Sequence, residues 1–366
     1  MQTDVLVIGG GIAGLSAAAW LSAETDVIVV EAEEFLGYHT TGRSAALYTE
    51  CYGDGPIRRL TIASREFLTS HDSVTSPLPV LFVGGVEDAD VLDEMYEMFS
   101  PLVPTLERVS PTSVAELCAA FEPDATSGGL YEPLAMELDV DALQTLYTRT
   151  SRDNGATILT SARVRAIERV GSTWTVHAGE HQIEASIIVN ASGAWGDAVA
   201  EIAGVRPLGL TPLLRSVFTT TSPMPNTGWP FVADAKERWY FKPEGPNILG
   251  SAESEIPSPP CDARTPEIDI ALGIERINEA TTFSIRSVNN TWAGLRTFTP
   301  DRVPGIGYDT EHDGFFWLVG QGGYGIMTSP AIGEVASSLI LTDTVPQRLV
   351  DLDFTRGSVA PERFRP

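Results

Sequence analysis

Gly9, Gly11 and Gly14 stand in the spacing GxGxxG, and Glu31 follows about 20 residues later, an arrangement suited to holding a dinucleotide. The first glycine permits a tight turn, the second lets the backbone approach a pyrophosphate, and the third lets a helix pack closely on a strand. The Glu31 carboxylate can accept hydrogen bonds from a ribose 2′-OH and would repel a 2′-phosphate, which narrows the cofactor to NAD or FAD. The loop HTTGRSAAL, His39–Leu47, then offers hydroxyls, backbone N–H groups and a cation at an expected helix start. An NAD enzyme usually continues here with an ordinary crossover, whereas these are donors for a second stretch of phosphate and a ribityl chain. FAD has both. Arg215 in LLRSVF and Arg296 in GLRTF sit in apolar, strand-like contexts where an unpaired guanidinium is costly to bury. No Asp or Glu flanks either closely, so each pairs with a distant buried acid or with an anion brought by a ligand.

The elements that position these groups follow from periodicity. DVLVIGG is a buried parallel strand, Val5 to Ile8, leading into a helix from Ile12 to Leu21 whose N-terminal N–H groups aim at the anion. DVIVVE is a second strand ending at Glu31. The run from Ala156 reads as alternating strands closing with a buried one, Ile187 to Val189, and a small-residue turn, Asn190 to Gly193, that returns the chain to the cofactor. A strand from Phe315 to Val319 precedes glycines 320, 322, 323 and 325 and a helix, a second set of backbone donors. Two insertions differ in texture. Ser76 to Leu138 carries a strand at PVLFVG and two amphipathic helices, and Val205 to Trp292 carries proline-punctuated strands such as LGLTPLLRSVFTTT and RWYFKPEGPNILGSAES. The fold class is α/β in an α+β two-domain layout: a Rossmann-like FAD-binding domain from 1–75, 139–204 and 293–366, and a discontinuous antiparallel-sheet substrate (cap) domain from 76–138 and 205–292.

Two domains suit 366 residues, since single cores stop growing at about 250 to 300 residues. A net charge of −25 disfavours nucleic acid and anionic membranes as partners, and obliges any anionic substrate to be held by a local arginine cluster. Cys51, Cys118 and Cys261 are odd in number and widely spaced, which indicates neither a disulfide framework nor a zinc site. His177 and His181 could suggest a metal, but they flank an expected hairpin turn and read as solvated. The first strand begins at once, with no signal peptide, and no apolar run reaches the length of a membrane span. These features point to a cytoplasmic protein.

The ordered set IGGGIAGLSAA, Glu31, GYHTTGRSAALYT, IIVNASGAWGD, AGLRTFTPDRVPGIG and QGGYGIMTS resembles the glycine oxidase and D-amino-acid oxidoreductase superfamily over essentially the whole chain, and most closely the bacterial D-arginine dehydrogenases. The resemblance implies FAD bound by Gly9, Gly11, Ile12, Ala13, Gly14, Glu31 and Ala32. It places Thr41, Arg43, Ser44, Ala45 and Ala46 along the pyrophosphate, ribityl chain and ring. Val164 falls at the adenine end, with Ala191, Gly193 and Trp195 in the returning turn, and Gly322, Gly323, Tyr324, Gly325, Ile326 and Met327 beside the isoalloxazine. Related sarcosine oxidases attach flavin to a cysteine at the position of Gly294; with no cysteine there or near, FAD is expected to be non-covalent.

The resemblance also implies that Arg215 and Arg296 bind a substrate carboxylate, that Tyr240 and Tyr52 complete the clamp or close the site, and that the Gly323 carbonyl receives the substrate amine. Tyr52 reads equally as a packed aromatic. Leu47, Thr49, Val80 and Met327 fall at pocket positions. Val80 stands where the arginine-specific relatives carry an acid, Leu47 where they carry histidine and Met327 where they carry glutamine, which with Phe231 and Phe82 suggests an apolar pocket. The implied reaction is oxidation of a Cα–N bond by hydride transfer to the flavin, leaving an imine that water hydrolyses. An apolar D-amino acid and a glycine bearing an apolar N-substituent both remain open as substrate, with O2 or a quinone as acceptor. A flavin-binding subunit without catalysis is the reading from another class, and the two arginines and Tyr240 count against it.

Overall fold

The computed structural model describes residues 1–53 and 55–365. Strand Gln2–Ile8 lies between Val27–Val30 and His181–Asn190, parallel to both, with Val5 opposite Val27 on one side and Ile187 on the other. The stretches Val5–Ile8, Val27–Val30 and Ile187–Val189 are apolar without alternation because both faces of a parallel sheet are covered. Thr157–Leu159 adds beyond Val27–Val30. His181–Asn190 serves twice on its other edge: its first half pairs antiparallel with Thr173–Ala178 and its second half parallel with Phe315–Val319. Val164–Val170 and Gly305–Tyr308 complete an eight-stranded sheet. Ala178 pairs with His181 across a turn at Gly179, so both His177 and His181 stand exposed on a hairpin.

Helix Ile12–Leu21 is buried almost all round and packs on the helix Gly325–Thr342. A Cβ on Gly333 would lie 2.8 Å from the Ser16 backbone, so the two helices meet main chain to main chain. Pro330 interrupts the second helix without breaking it. Proline has no N–H to give to the Ile326 carbonyl, and the Ser329 hydroxyl donates to that carbonyl instead, at 2.9 Å.

The two insertions form one nine-stranded sheet because Phe231–Asp234 of the second pairs parallel with Val80–Gly85 of the first. Asp88 of the first insertion also accepts hydrogen bonds from Lys236 and Arg238 of the second. Strand Asn290–Phe298 pairs along its whole length with Thr211–Thr221 of this sheet, although the sequence partition grouped residues from 293 onward with the nucleotide-binding half. The second insertion is not all strand: Glu267–Ala280 is a helix packed on the sheet through Ile270, Ile274 and Ile277, whose spacing carries the helical period. Among the described residues no helix is long and apolar enough to cross a membrane.

Gly333→Ala forces backbone apart where nothing flexible can give way, and should destabilise the protein by about 1 to 3 kcal/mol. The urea midpoint should fall with an unchanged slope; an unshifted midpoint would mean the helices separate freely.

Candidate active site

The nucleotide end is built from backbone. Gly9 has φ +116°, and a Cβ there would lie 2.4 Å from the Ala191 carbonyl oxygen. A Cβ on Gly14 would lie 2.0 Å from the Gly9 carbonyl oxygen, so this glycine serves helix–strand packing and does not itself line a cavity. Helix Ile12–Leu21 starts at Gly11 with no side-chain cap of its own, and the Ile12 N–H donates to Thr41 Oγ1 at 3.0 Å. The Glu31 carboxylate is oriented by two main-chain donors, Gly10 at 2.6 Å and Glu33 at 2.9 Å, and keeps acceptor capacity to spare.

The loop His39–Leu47 differs from expectation in two respects. Thr41–Arg43 is a single 3₁₀ turn and Ser44 is extended, so no helix starts here. The Arg43 guanidinium is taken up by protein partners: it donates to the Ala263 and Ala293 carbonyls, each at 3.0 Å, and to Asp262 at 2.5 Å. Its side chain therefore ties the loop to the second sheet, as do Thr40 Oγ1 donating to the Leu295 carbonyl and Trp292 Nε1 donating to the Arg43 carbonyl.

A cavity of about 430 Å³ runs through these parts. Its walls include Gly9, Gly11, Ile12, Ala13, Glu31, Ala32, Thr41, Arg43, Ser44, Ala45, Val164, Ala191, Gly193 and Trp195, and then Gly322, Gly323, Gly325 and Ile326. Arg215, Tyr240 and Arg296 close one end, with Val217 beside them. Gly14, Ala46, Tyr324 and Met327, Leu47, Thr49, Tyr52 and Val80 are not on its walls. Ala46 holds φ +60° behind the loop, and Tyr324 and Met327 pack in the core beneath.

The two arginines are not equivalent. Arg215 and Glu253 form an ion pair at 3.0 Å with side chains 6% and 8% exposed, so of the two partners left open for Arg215, a distant buried acid or a ligand anion, the structure supplies the acid. Arg215 also donates to the Glu253 and Ser254 carbonyls. Glu255 is 3.8 Å away, itself held by Arg302 at 2.6 and 3.1 Å. Burial pushes the Glu253 carboxyl up against the pull of Arg215 and Arg296. Its Oε2 accepts no hydrogen bond, and its backbone sits at φ +54°. Arg296 makes no salt bridge among the described residues; its one side-chain hydrogen bond goes to the Tyr52 hydroxyl at 3.2 Å. Burial opposes its charge, and Tyr52, Tyr240 and Glu253 more than offset this, so its pKa lies above the ordinary arginine value. A Cβ on Gly323 would fall 2.9 Å from the Arg296 guanidinium carbon, so a side chain there would displace the guanidinium. Tyr240 is buried, which raises its pKa, and stacks on Phe231 with ring centroids 5.1 Å apart.

Val80 is wholly buried and faces its cross-strand partner Glu132, an acid that sequence reading did not mark. Glu132 accepts hydrogen bonds from the Thr49 hydroxyl and from the Glu50 N–H, at 2.8 Å for the latter, which places Thr49 in a structural network behind the pocket. Cys261, expected to be remote, packs against the cluster of Ala194 and Leu295 beside the cavity wall, though it does not line the cavity. Three buried polar atoms on the cavity walls have no protein partner: His39 Nδ1, Thr297 Oγ1 and Gln321 Nε2. Unpaired polar atoms are costly in a closed interior, and these, with the helix N-terminus at Gly11 and the Gly9 turn, fit a polar dinucleotide such as FAD.

Residues 4–339 match the FAD dependent oxidoreductase family, DAO, and the chain belongs to that family. It is an FAD-dependent oxidoreductase. It is 24% identical to FAD-dependent oxidoreductase domain-containing protein 1 of Xenopus laevis, over 93% of this chain and 79% of that protein. It is 24% identical to the glycine oxidase of Bacillus subtilis, over 94% of each. The structure of L-proline dehydrogenase from P. horikoshii superposes with a TM-score of 0.86 at 22% identity, covering 99% of this chain and 98% of that one.

Burial raises the Glu132 pKa, against the hydrogen bonds from Thr49 and Glu50. The folded state thus holds its proton more tightly than the unfolded one. Its contribution is fully present below the ordinary carboxylate pKa of about 4.3 and is lost as pH rises through the folded value. The Tm of Glu132→Gln minus that of the native protein should therefore increase as pH is raised from 4 toward neutrality, about the range in which Glu132 ionises. A difference independent of pH would count against this.

Proposed function

We propose that the protein oxidises the Cα–N bond of an amino acid or N-substituted glycine that carries a free carboxylate and an apolar substituent. The observation that carries this reading is Arg296, a permanent cation on the wall of the cavity, packed against Gly323 and without an acid of its own. A substrate carboxylate supplies the missing partner through charge-assisted hydrogen bonds. Arg215, already paired, holds the wall rather than the substrate. The glycine oxidase relative supports a nitrogen-bearing substrate.

Glu31 would hold the adenosine ribose, the Gly9–Gly11 turn and the helix N-terminus the pyrophosphate, and Ser44, Ala45 and Gly322 to Ile326 the remainder of FAD. No cysteine lines the cavity among the described residues, which supports non-covalent attachment. When bound, FAD supplies a two-electron hydride acceptor. Arg296 anchors the carboxylate and Tyr52 orients Arg296. The Gly323 carbonyl accepts a hydrogen bond from the substrate amine, which fixes the direction of the Cα–H bond. Val217 and Tyr240, the latter backed by Phe231, exclude water and receive the apolar substituent. His39, Glu31 and Glu33 line the opposite end of the cavity, and at the arginine end no His, Asp or Glu is on the wall among the described residues. The substrate amine therefore arrives neutral or gives its proton to water, and the imine product is hydrolysed to a carbonyl compound and an amine or ammonia.

Arg296→Ala should lose about 2 to 4 kcal/mol of transition-state binding, read as kcat/KM, with FAD content unchanged. Comparable turnover of a substrate and its carboxamide would overturn the clamp. The kcat/KM of the native enzyme should rise with pH along the titration of the substrate ammonium, and the midpoint should move when an amine of lower pKa is used. A midpoint that stays put across substrates would reveal a base on the protein.

A further inference from the structure

Two arginines reach the same end of the cavity, yet only one is available to an anion. Arg215 is matched by Glu253, and its Nε and both terminal nitrogens already donate to Glu253 and Ser254. Arg296 has only a tyrosine hydroxyl. The nearest other acid, Glu255, is held by both terminal nitrogens of Arg302, so it does not substitute for Glu253. Within hydrogen-bonding reach the two arginines and Glu253 thus sum to a single positive charge, which matches one carboxylate. A ligand with a second carboxylate directed at Arg215 finds its donors already spent on Glu253 and Ser254, and the Glu253 carboxylate, off the cavity wall with its Oε2 buried and without a donor, repels the added charge from behind the arginine.

Glu253 also costs the fold something to keep. It follows the end of strand Asn247–Ser251 and adopts φ +54°, a conformation that favours glycine. Its carboxylate is placed opposite Arg215 by the antiparallel register in which Phe218 faces Gly250. A strained backbone and an unsatisfied buried oxygen at one residue beside a ligand cavity mark a position held for more than stability.

We infer that Glu253 is a specificity-determining residue that occupies Arg215 and so restricts the cavity to monocarboxylates, excluding amino and imino dicarboxylates. This rests on the reading of Arg296 as the carboxylate receptor. It acts by repulsion toward the wrong ligand rather than by attraction toward the right one.

The test is isothermal titration of the FAD-loaded protein with propionate, malonate and succinate, in the native protein and in Glu253→Gly, Glu253→Gln and Arg296→Ala. Glycine suits φ +54° and removes the acid without backbone cost, and glutamine keeps the shape while removing the charge. The native protein should bind propionate at least as tightly as either dicarboxylate. In Glu253→Gly the preference should shift toward malonate or succinate by about tenfold or more, the worth of one charge-assisted contact. Glu253→Gln should shift it in the same direction by less. Arg296→Ala should lose propionate. If Arg296→Ala loses propionate while neither Glu253 variant, with FAD retained and native Tm, changes the ratio, the inference is overturned and the clamp stands. If Arg296→Ala binds propionate as the native protein does, the clamp itself has failed. Should Glu253→Gly not fold, the Glu253→Gln ratio decides alone.

Discussion

The carbonyl oxygen of Gly9 occupies the place where a side chain on Gly14 would be, and the backbone of Ala191 occupies the place of one on Gly9. Three chain segments thus converge at main-chain contact: the first strand, the first helix, and the return from His181–Asn190. Since neither contact has slack, the parallel register of the central strands fixes the helix N-terminus, Glu31 and the Ala191–Gly193 turn relative to one another. The outer cavity is then set by what is tied to this point, and Arg43 makes that tie by spending its guanidinium on Ala263, Ala293 and Asp262.

At the far end the organising force is electrostatic. A chain with a net charge of −25 has to build a local positive site to hold an anion. It does so with two arginines on adjacent antiparallel strands, then neutralises one from within. Burying a paired guanidinium and leaving its neighbour to a ligand concentrates the attraction at Arg296, where Tyr52 and Gly323 fix its position.

The nucleotide-binding half was legible because its determinants are local. The glycine spacing, the continuous apolar strands, the helix Ile12–Leu21 and the strand Phe315–Val319 follow from neighbours in sequence, and they are found as read. The cavity end was less legible because its determinants are pairings between distant residues. Glu253 reaches Arg215 across 38 positions through strand register and a left-handed turn, and no pattern in LLRSVF reveals it. The pairing of Arg43 is hidden for the same reason, since its acid lies 219 residues away. Val80 was read as a pocket residue from its place in a resemblance, whereas its register with Glu132 puts it in the core. The helix Glu267–Ala280 did carry a local signal in Ile270, Ile274 and Ile277, obscured by the prolines and strands around it.

The first helix, Ile12–Leu21, buries nearly its whole surface, and its main covering partner is the helix Gly325–Thr342 at the opposite end of the chain. During synthesis the amino-terminal helix therefore emerges long before the element that covers it. Strand Phe315–Val319, which completes the parallel sheet beside His181–Asn190, is equally late. All the residues between these elements have to be made before the cofactor cleft can close. The growing polypeptide thus carries exposed apolar surface while everything between these two helices is translated, a long window in which it depends on being kept from aggregating.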